Sequence, residues 1–86
     1  MDAPKLQFPC EYPIKVMIRS AEDVRLHVDA VMDRHGGPGT GERASVRPSA
    51  QGNFAGITYT IQARDEAHIA ALFAELKSVP GVLMVL

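Results

Sequence analysis

The chain has a single cysteine, Cys10. It can close no internal disulfide, and one unpaired thiol suits a reducing compartment. Net charge is almost absent, since 9 Lys and Arg against 10 Asp and Glu leave −1. That balance excludes a global pull toward nucleic acid or anionic lipid and leaves only local patches. No apolar run approaches a membrane span. The opening Met1-Asp2-Ala3-Pro4-Lys5-Leu6 lacks the apolar core of a signal peptide, so a cytosolic location is expected. Spacings such as His-Glu-x-x-His or Cys-x-x-Cys are missing, and neither a metal nor a cofactor is expected.

What is there is ordinary for a folded domain: 86 residues, 47% apolar and 22% charged. This length supports one core and little room for a deep cleft. Residues 1–13 hold Pro4, Pro9 and Pro13 and read as an extended arm. Residues 14–86 read as one domain. Ile14, Val16 and Ile18 alternate with Lys15, Met17 and Arg19, which predicts a half-buried strand. Ser20 is placed to cap a helix carrying the stripe Val24, Val28, Val31, Met32, which ends near His35 at Gly36-Gly37-Pro38. Residues 42–47 read as a weak strand, and residues 57–62 as the strongest one. Phe54 is out of phase with Ile57, so a bulge is expected at Gly56. Asp65 caps a second helix with the stripe Ile69, Leu72, Phe73, Leu76. After Pro80-Gly81, the run Val82-Leu83-Met84-Val85-Leu86 is a strand apolar on both faces.

The order β-α-β-β-α-β predicts an α+β, ferredoxin-like fold: a four-stranded antiparallel sheet with both helices on one face. An αα-hairpin beside a β-hairpin fits the alternation less well. The expected core is Val16, Val28, Ile57, Tyr59, Ile61, Leu72, Phe73 and Leu76. The other sheet face is left for a partner, unless the arm folds back over it with Leu6, Phe8 and Tyr12. On the last strand, either Leu83 and Val85 or Val82, Met84 and Leu86 belong to that face.

"GGPGTGER", residues 36–43, has the glycine spacing of a phosphate-binding loop. Glu42 stands where a lysine should reach the phosphates, and the loop follows a helix instead of a strand. It reads as a flexible connection. "QGNFAGITY", residues 51–59, faintly resembles an RNA-reading strand, but Tyr59 shares a face with Ile57 and Ile61 and points to the core. His27 and His68 read as solvent-facing, and His35 as a partner for the last helix carbonyls. No acid, base and donor gather around Cys10 in sequence. Lys15, Arg19, Arg43 and Arg47 are either solvated strand side chains or a patch for an anion or an acidic partner.

Three stretches carry a family resemblance: "FPCEYPIKVM" (8–17), "RPSAQGNF" (47–54) and "PGVLMVL" (80–86). Together they resemble the YbeD-like family of small bacterial proteins along nearly the whole chain. The resemblance implies a ferredoxin-like fold similar to ACT domains, and an association with lipoate synthesis. It implies no catalytic residues. The family's Lys-Val-Met strand matches Lys15, Val16 and Met17, and its turn matches Pro48, Ser49, Gly52, Asn53 and Phe54. The chain departs from the family at Ile18, where glycine is frequent, and in a longer, glycine-rich loop before the second strand.

Three functions are weighed on this fold, because fold alone does not choose among them. The first is a non-enzymatic regulatory or binding module that docks a protein partner, a small metabolite or a second copy of the chain. Its expected contacts are Lys15, Met17, Arg19, Arg47, Ser49, Gly52 and Asn53. The second is a nucleic-acid-binding module. The third is an acyl phosphatase, disfavoured because Ile18-Arg19-Ser20-Ala21-Glu22 offers no glycine cradle and places an acid that would repel phosphate.

Overall fold

A computed structural model describes residues 7–86. Strand β1 spans Cys10–Arg19 and strand β3 spans Phe54–Ala63. They pair antiparallel without a break, from Cys10 opposite Ala63 to Arg19 opposite Phe54. β1 therefore starts inside the stretch expected to be an arm, and Cys10, Tyr12 and Ile14 continue the inward phase of Val16 and Ile18. Pro13 is tolerated within β1 for a geometric reason. Lys15 exchanges both backbone bonds with Leu86, so the backbone groups of alternate residues, Pro13 included, point to that side of β1. The strand paired on that side ends at Val85, and among the described residues none lies opposite Pro13 to need the missing N–H.

Helix α1 (Glu22–Gly36) follows, capped by the backbone of Ala21 and not by the side chain of Ser20. Ser20 instead donates its N–H to Asn53 O at 2.9 Å, tying the end of β1 to a hairpin tip. Gly37, at φ +92°, ends the helix and returns an N–H to Asp33 O. Strand β2 is Ser45–Pro48, helix α2 is Glu66–Lys77 and strand β4 is Val82–Val85. Asp65 caps α2 as expected, its carboxylate accepting from His68 N–H at 2.7 Å. The sheet order is β2-β3-β1-β4 and every pairing is antiparallel, which is the ferredoxin-like arrangement and excludes the αα-hairpin alternative.

Ile14, Val16, Ile18, Ile57, Tyr59 and Ile61 from the sheet meet Val24, Val28, Val31, Met32, Leu72 and Leu76 from the helices in one core. Phe73 is only half-buried at its margin. Gly56 marks no bulge: β3 keeps register, and Phe54 is out of phase because it faces away from the helices. The irregularity lies in β4, where Met17 faces Met84 but Ile18 faces Val82. Leu83 is the extra residue, so Val82 and Val85 both turn to the core while Met84 turns outward. Neither expected alternation of the last strand holds as a whole.

His68 is buried and not solvent-facing, whereas His27 is exposed as expected. Nδ1 of His68 accepts from Arg64 N–H at 3.2 Å, which leaves Nε2–H to donate to His35 O at 3.2 Å. It is His68, then, that satisfies a terminal α1 carbonyl. The His35 ring stacks on it with centroids 5.7 Å apart and reaches Glu75 Oε1 at 2.8 Å.

Candidate functional site

Strand alternation sends Lys15, Met17 and Arg19 of β1, Phe54, Gly56 and Thr58 of β3, and Arg47 of β2 to the face without helices. One cross-strand row runs Arg47, Gly56, Met17, Met84. Gly56 leaves a dip in that row. A Cβ there would lie 3.1 Å from Met17 Sδ and 3.3 Å from Lys15 Cε, so the long side chains of its neighbours lean into the space. The result is a hollow of about 190 Å³ lined by Lys15, Met17, Arg47, Pro48, Ser49, Phe54 and Gly56. Among the described residues, Phe8 and Tyr12 pack on the core side, so they do not cover this face. Leu6, the third residue of that expected cover, lies outside the described residues.

Of the residues expected at a contact site, Lys15, Met17, Arg47 and Ser49 line the hollow, and Arg19 flanks it opposite Phe54. Gly52 and Asn53 belong to the turn that holds it. Gly52 supplies φ +75°, Ser49 Oγ accepts from Phe54 N–H at 3.2 Å, and Asn53 contributes its backbone carbonyl. Arg43 does not join this group. It lies over Gly39 and shares a depression with Glu11 and Gln62, at the other end of the sheet. Phe54 is the contact residue that sequence reasoning missed. Its phase error against Ile57 was the signal, because an aromatic out of step with the core points outward.

Lys15, Arg19 and Arg47 enter none of the ion pairs found among the described residues, which engage Arg25, Arg34 and His35. The hollow is therefore cationic at its rim and apolar at its floor. Met84 and Leu86, 52% and 60% exposed, extend the apolar surface across β1 to the sheet edge. A larger hollow of about 270 Å³ lies on the helix side between α1 and β2, lined by Ile18, Glu22, Arg25 and Val46. Its guanidinium is already held, since Arg25 Nε meets both Asp29 carboxylate oxygens at 2.9 Å. Behind it, the buried Tyr59 hydroxyl donates to Asp29 Oδ1 at 2.6 Å. Burial and that carboxylate push the phenol well above its usual range, so it stays a neutral donor.

Cys10 is half-buried in β1 against the core, and no group of His, Cys, Asp and Glu among the described residues could hold a metal. No described helix is long and apolar enough to cross a membrane.

A family model described as "Protein of unknown function (DUF493)" matches residues 3–86. The chain belongs to this family. The YbeD-like resemblance of the three sequence stretches therefore stands. Relatives within the same group include a UPF0250 protein of Paraburkholderia phymatum, 37% identical over 94% of this chain and 91% of that protein. Another, from Hahella chejuensis, is 34% identical over 99% of this chain and 93% of that protein. Among solved structures, protein HP0495 from H. pylori superposes with a TM-score of 0.70 at 12% identity, covering 98% of this chain and 88% of its own. The ACT domain from the GTP pyrophosphokinase of Chlorobium tepidum gives 0.66 at 14% identity, covering 88% and 94%. These two likenesses concern the fold, and they make this DUF493 chain ACT-like in architecture.

Proposed function

We propose that this DUF493 protein is a non-catalytic regulatory module of the cytosol that works by docking an acidic protein surface on its open sheet face. One observation carries the proposal: Lys15, Arg19 and Arg47, which have no ion-pair partner among the described residues, rim the apolar surface of Met17, Phe54 and Met84. An exposed apolar patch with a charged rim is typical of association sites, and the rim sets orientation and encounter rate more than affinity. The ACT-like architecture agrees with a regulatory role by analogy only. A link to lipoate metabolism belongs to the same proposal and rests on the family resemblance.

Single-stranded nucleic acid is the second reading, favoured by Phe54 standing exposed beside three cations. Against it, the open face of β1 offers Glu11, Pro13, Lys15, Met17 and Arg19, without a second aromatic for stacking.

The experiment compares the native chain with Lys15→Glu/Arg47→Glu and with His27→Glu on the exposed side of α1. A partner purified on the native chain should lose at least tenfold in affinity for the double variant, and bind His27→Glu normally. Its affinity should fall as salt rises. Equal binding to all three chains refutes the docking face, and tight binding of a single-stranded oligonucleotide with the same pattern selects the second reading.

A further inference from the structure

Among the described residues the sheet has β2 and β4 at its edges, and they are protected very differently. β2 is Ser-Val-Arg-Pro, so a charge and a residue without an N–H blunt it in the usual way. β4 is Val-Leu-Met-Val, with neither device. Leu83 is 58% exposed and Met84 52%. The backbone geometry shows where the free groups point. Lys15 N–H donates to Leu86 O at 3.0 Å and Leu86 N–H donates to Lys15 O at 2.8 Å, a pair that exchanges both bonds. The next pair, Val16 with Val85, is then of the alternate type, and Val85 turns its N–H and C=O to the outer edge. An apolar edge with free backbone groups is a template for another strand.

We propose that this edge takes a second copy of the chain. Two β4 strands pair antiparallel about a two-fold axis and join their four-stranded sheets into one. The charge pattern selects a second copy. A two-fold sets a strand against itself, so any charge on it would face its own kind. β4 itself has no charge, and Lys77 of α2, which lines the surface beside it, lies on the helix side and not on the strand, whereas pairing through β2 would bring Arg47 up to its own image. The nearest open-face cation, Lys15, would stand from its image across β4 and its mate, three strand spacings or about 14 Å. That is beyond the screening length of roughly 8 Å at physiological salt. Met84 of each copy meets at the seam, so the apolar strip from Met17 runs unbroken across both. The bulge at Leu83 limits the regular pairing to a short segment, which makes the contact small and the dimer weak. The inference is independent of the docking face, which both copies would still present.

Sedimentation and amide exchange over a concentration series test it. Dissociation in the micromolar range is expected, with Val85 N–H protected at high concentration and exchanging freely at low. Leu83→Lys should weaken the dimer at least tenfold, and Val46→Lys on the β2 edge should leave it unchanged. A chain that stays monomeric at millimolar concentration overturns the proposal, as does a dimer in which Val85 N–H exchanges as fast as in the monomer. That amide readout uses the native chain and decides the question even where Leu83→Lys disturbs folding.

Discussion

The loop entering β2, residues 37–44, and the loop leaving it, residues 49–53, both depend on glycine. The entering loop is tied down. Thr40 is 1% exposed and its hydroxyl donates to Gly37 O at 2.7 Å. Gly41 N–H donates to Asp33 Oδ1 at 2.8 Å, and Arg25 Nη2 reaches Gly41 O at 3.3 Å. A Cβ on Gly41 would sit 2.9 Å from both Cβ and Cγ of Asp29. The leaving loop is exposed throughout, and a Cβ on Gly52 would meet nothing within 4 Å. Gly41 is thus required by crowding, and Gly52 by its φ of +75°. Glycine content alone therefore does not report mobility. The first loop reads as a flexible connection in sequence and is packed against α1 in the structure.

The sharpest test of this contrast is Gly41→Ala. Asp29 cannot yield without loosening the Tyr59 and Arg25 bonds, so the cost should be about 2–3 kcal/mol by chemical denaturation. A loss below about 0.5 kcal/mol, as for an ordinary surface change, would erase the distinction between the loops. Asp29→Ala attacks the same anchor from the helix. It strands the buried Tyr59 hydroxyl, for an expected loss of about 2 kcal/mol. Tyr59→Phe removes the stranded group itself, so adding it to Asp29→Ala should recover part of that loss. Strict additivity of the two changes argues against the bond.

Gly52→Ala addresses the exposed loop. Left-handed backbone with a Cβ costs roughly 1–2 kcal/mol, and no collision adds to it. Gly52→Asn should be milder, because asparagine tolerates that region. If alanine and asparagine cost the same, φ is not what selects glycine at this turn.

Legibility in the sequence followed the same physical line. Element order, strand phase and the Asp65 cap are local patterns, and they were readable. Tyr59 as a core residue followed from its alternation with Ile57 and Ile61. What escaped depended on partners distant in sequence. Cys10–Pro13 look irregular because Pro9 precedes them and Pro13 ends them, yet β3 extends far enough to pair with all four. His68 lies on a helix between an alanine and an isoleucine, and only the approach of α1 shows that its ring bridges two elements. The β4 bulge had no sequence mark, since five apolar residues in a row carry no phase. In the candidate site, Lys15, Met17 and Arg47 were readable from alternation. The hollow itself depends on the row that sets Gly56 between Arg47 and Met17, which is a matter of register.

The smallest expected effect lies at the root of the packed loop, where α1 ends. Glu75 of α2 accepts from His35 Nε2 at 2.8 Å and pairs with Arg34, bracing the last turn of α1 just before Gly37. Hydrogen bonds from His35 and then Arg34 hold its carboxyl below the ordinary carboxylate value. A carboxyl depressed in the folded state stabilises the fold when ionised. That contribution is complete above the ordinary carboxylate range and drains away as pH falls through the folded value. Glu75→Gln should therefore be slightly less stable than the native chain near neutral pH and converge with it in acid. The group is only half-buried, so salt should shrink the difference as well. Thermal melts of both chains between neutral pH and pH of about 3, at low and high salt, measure it. A gap that stays constant with pH would mean that Glu75 acts by packing alone, and that the packed loop is anchored by Asp29 and Asp33 without help from α2.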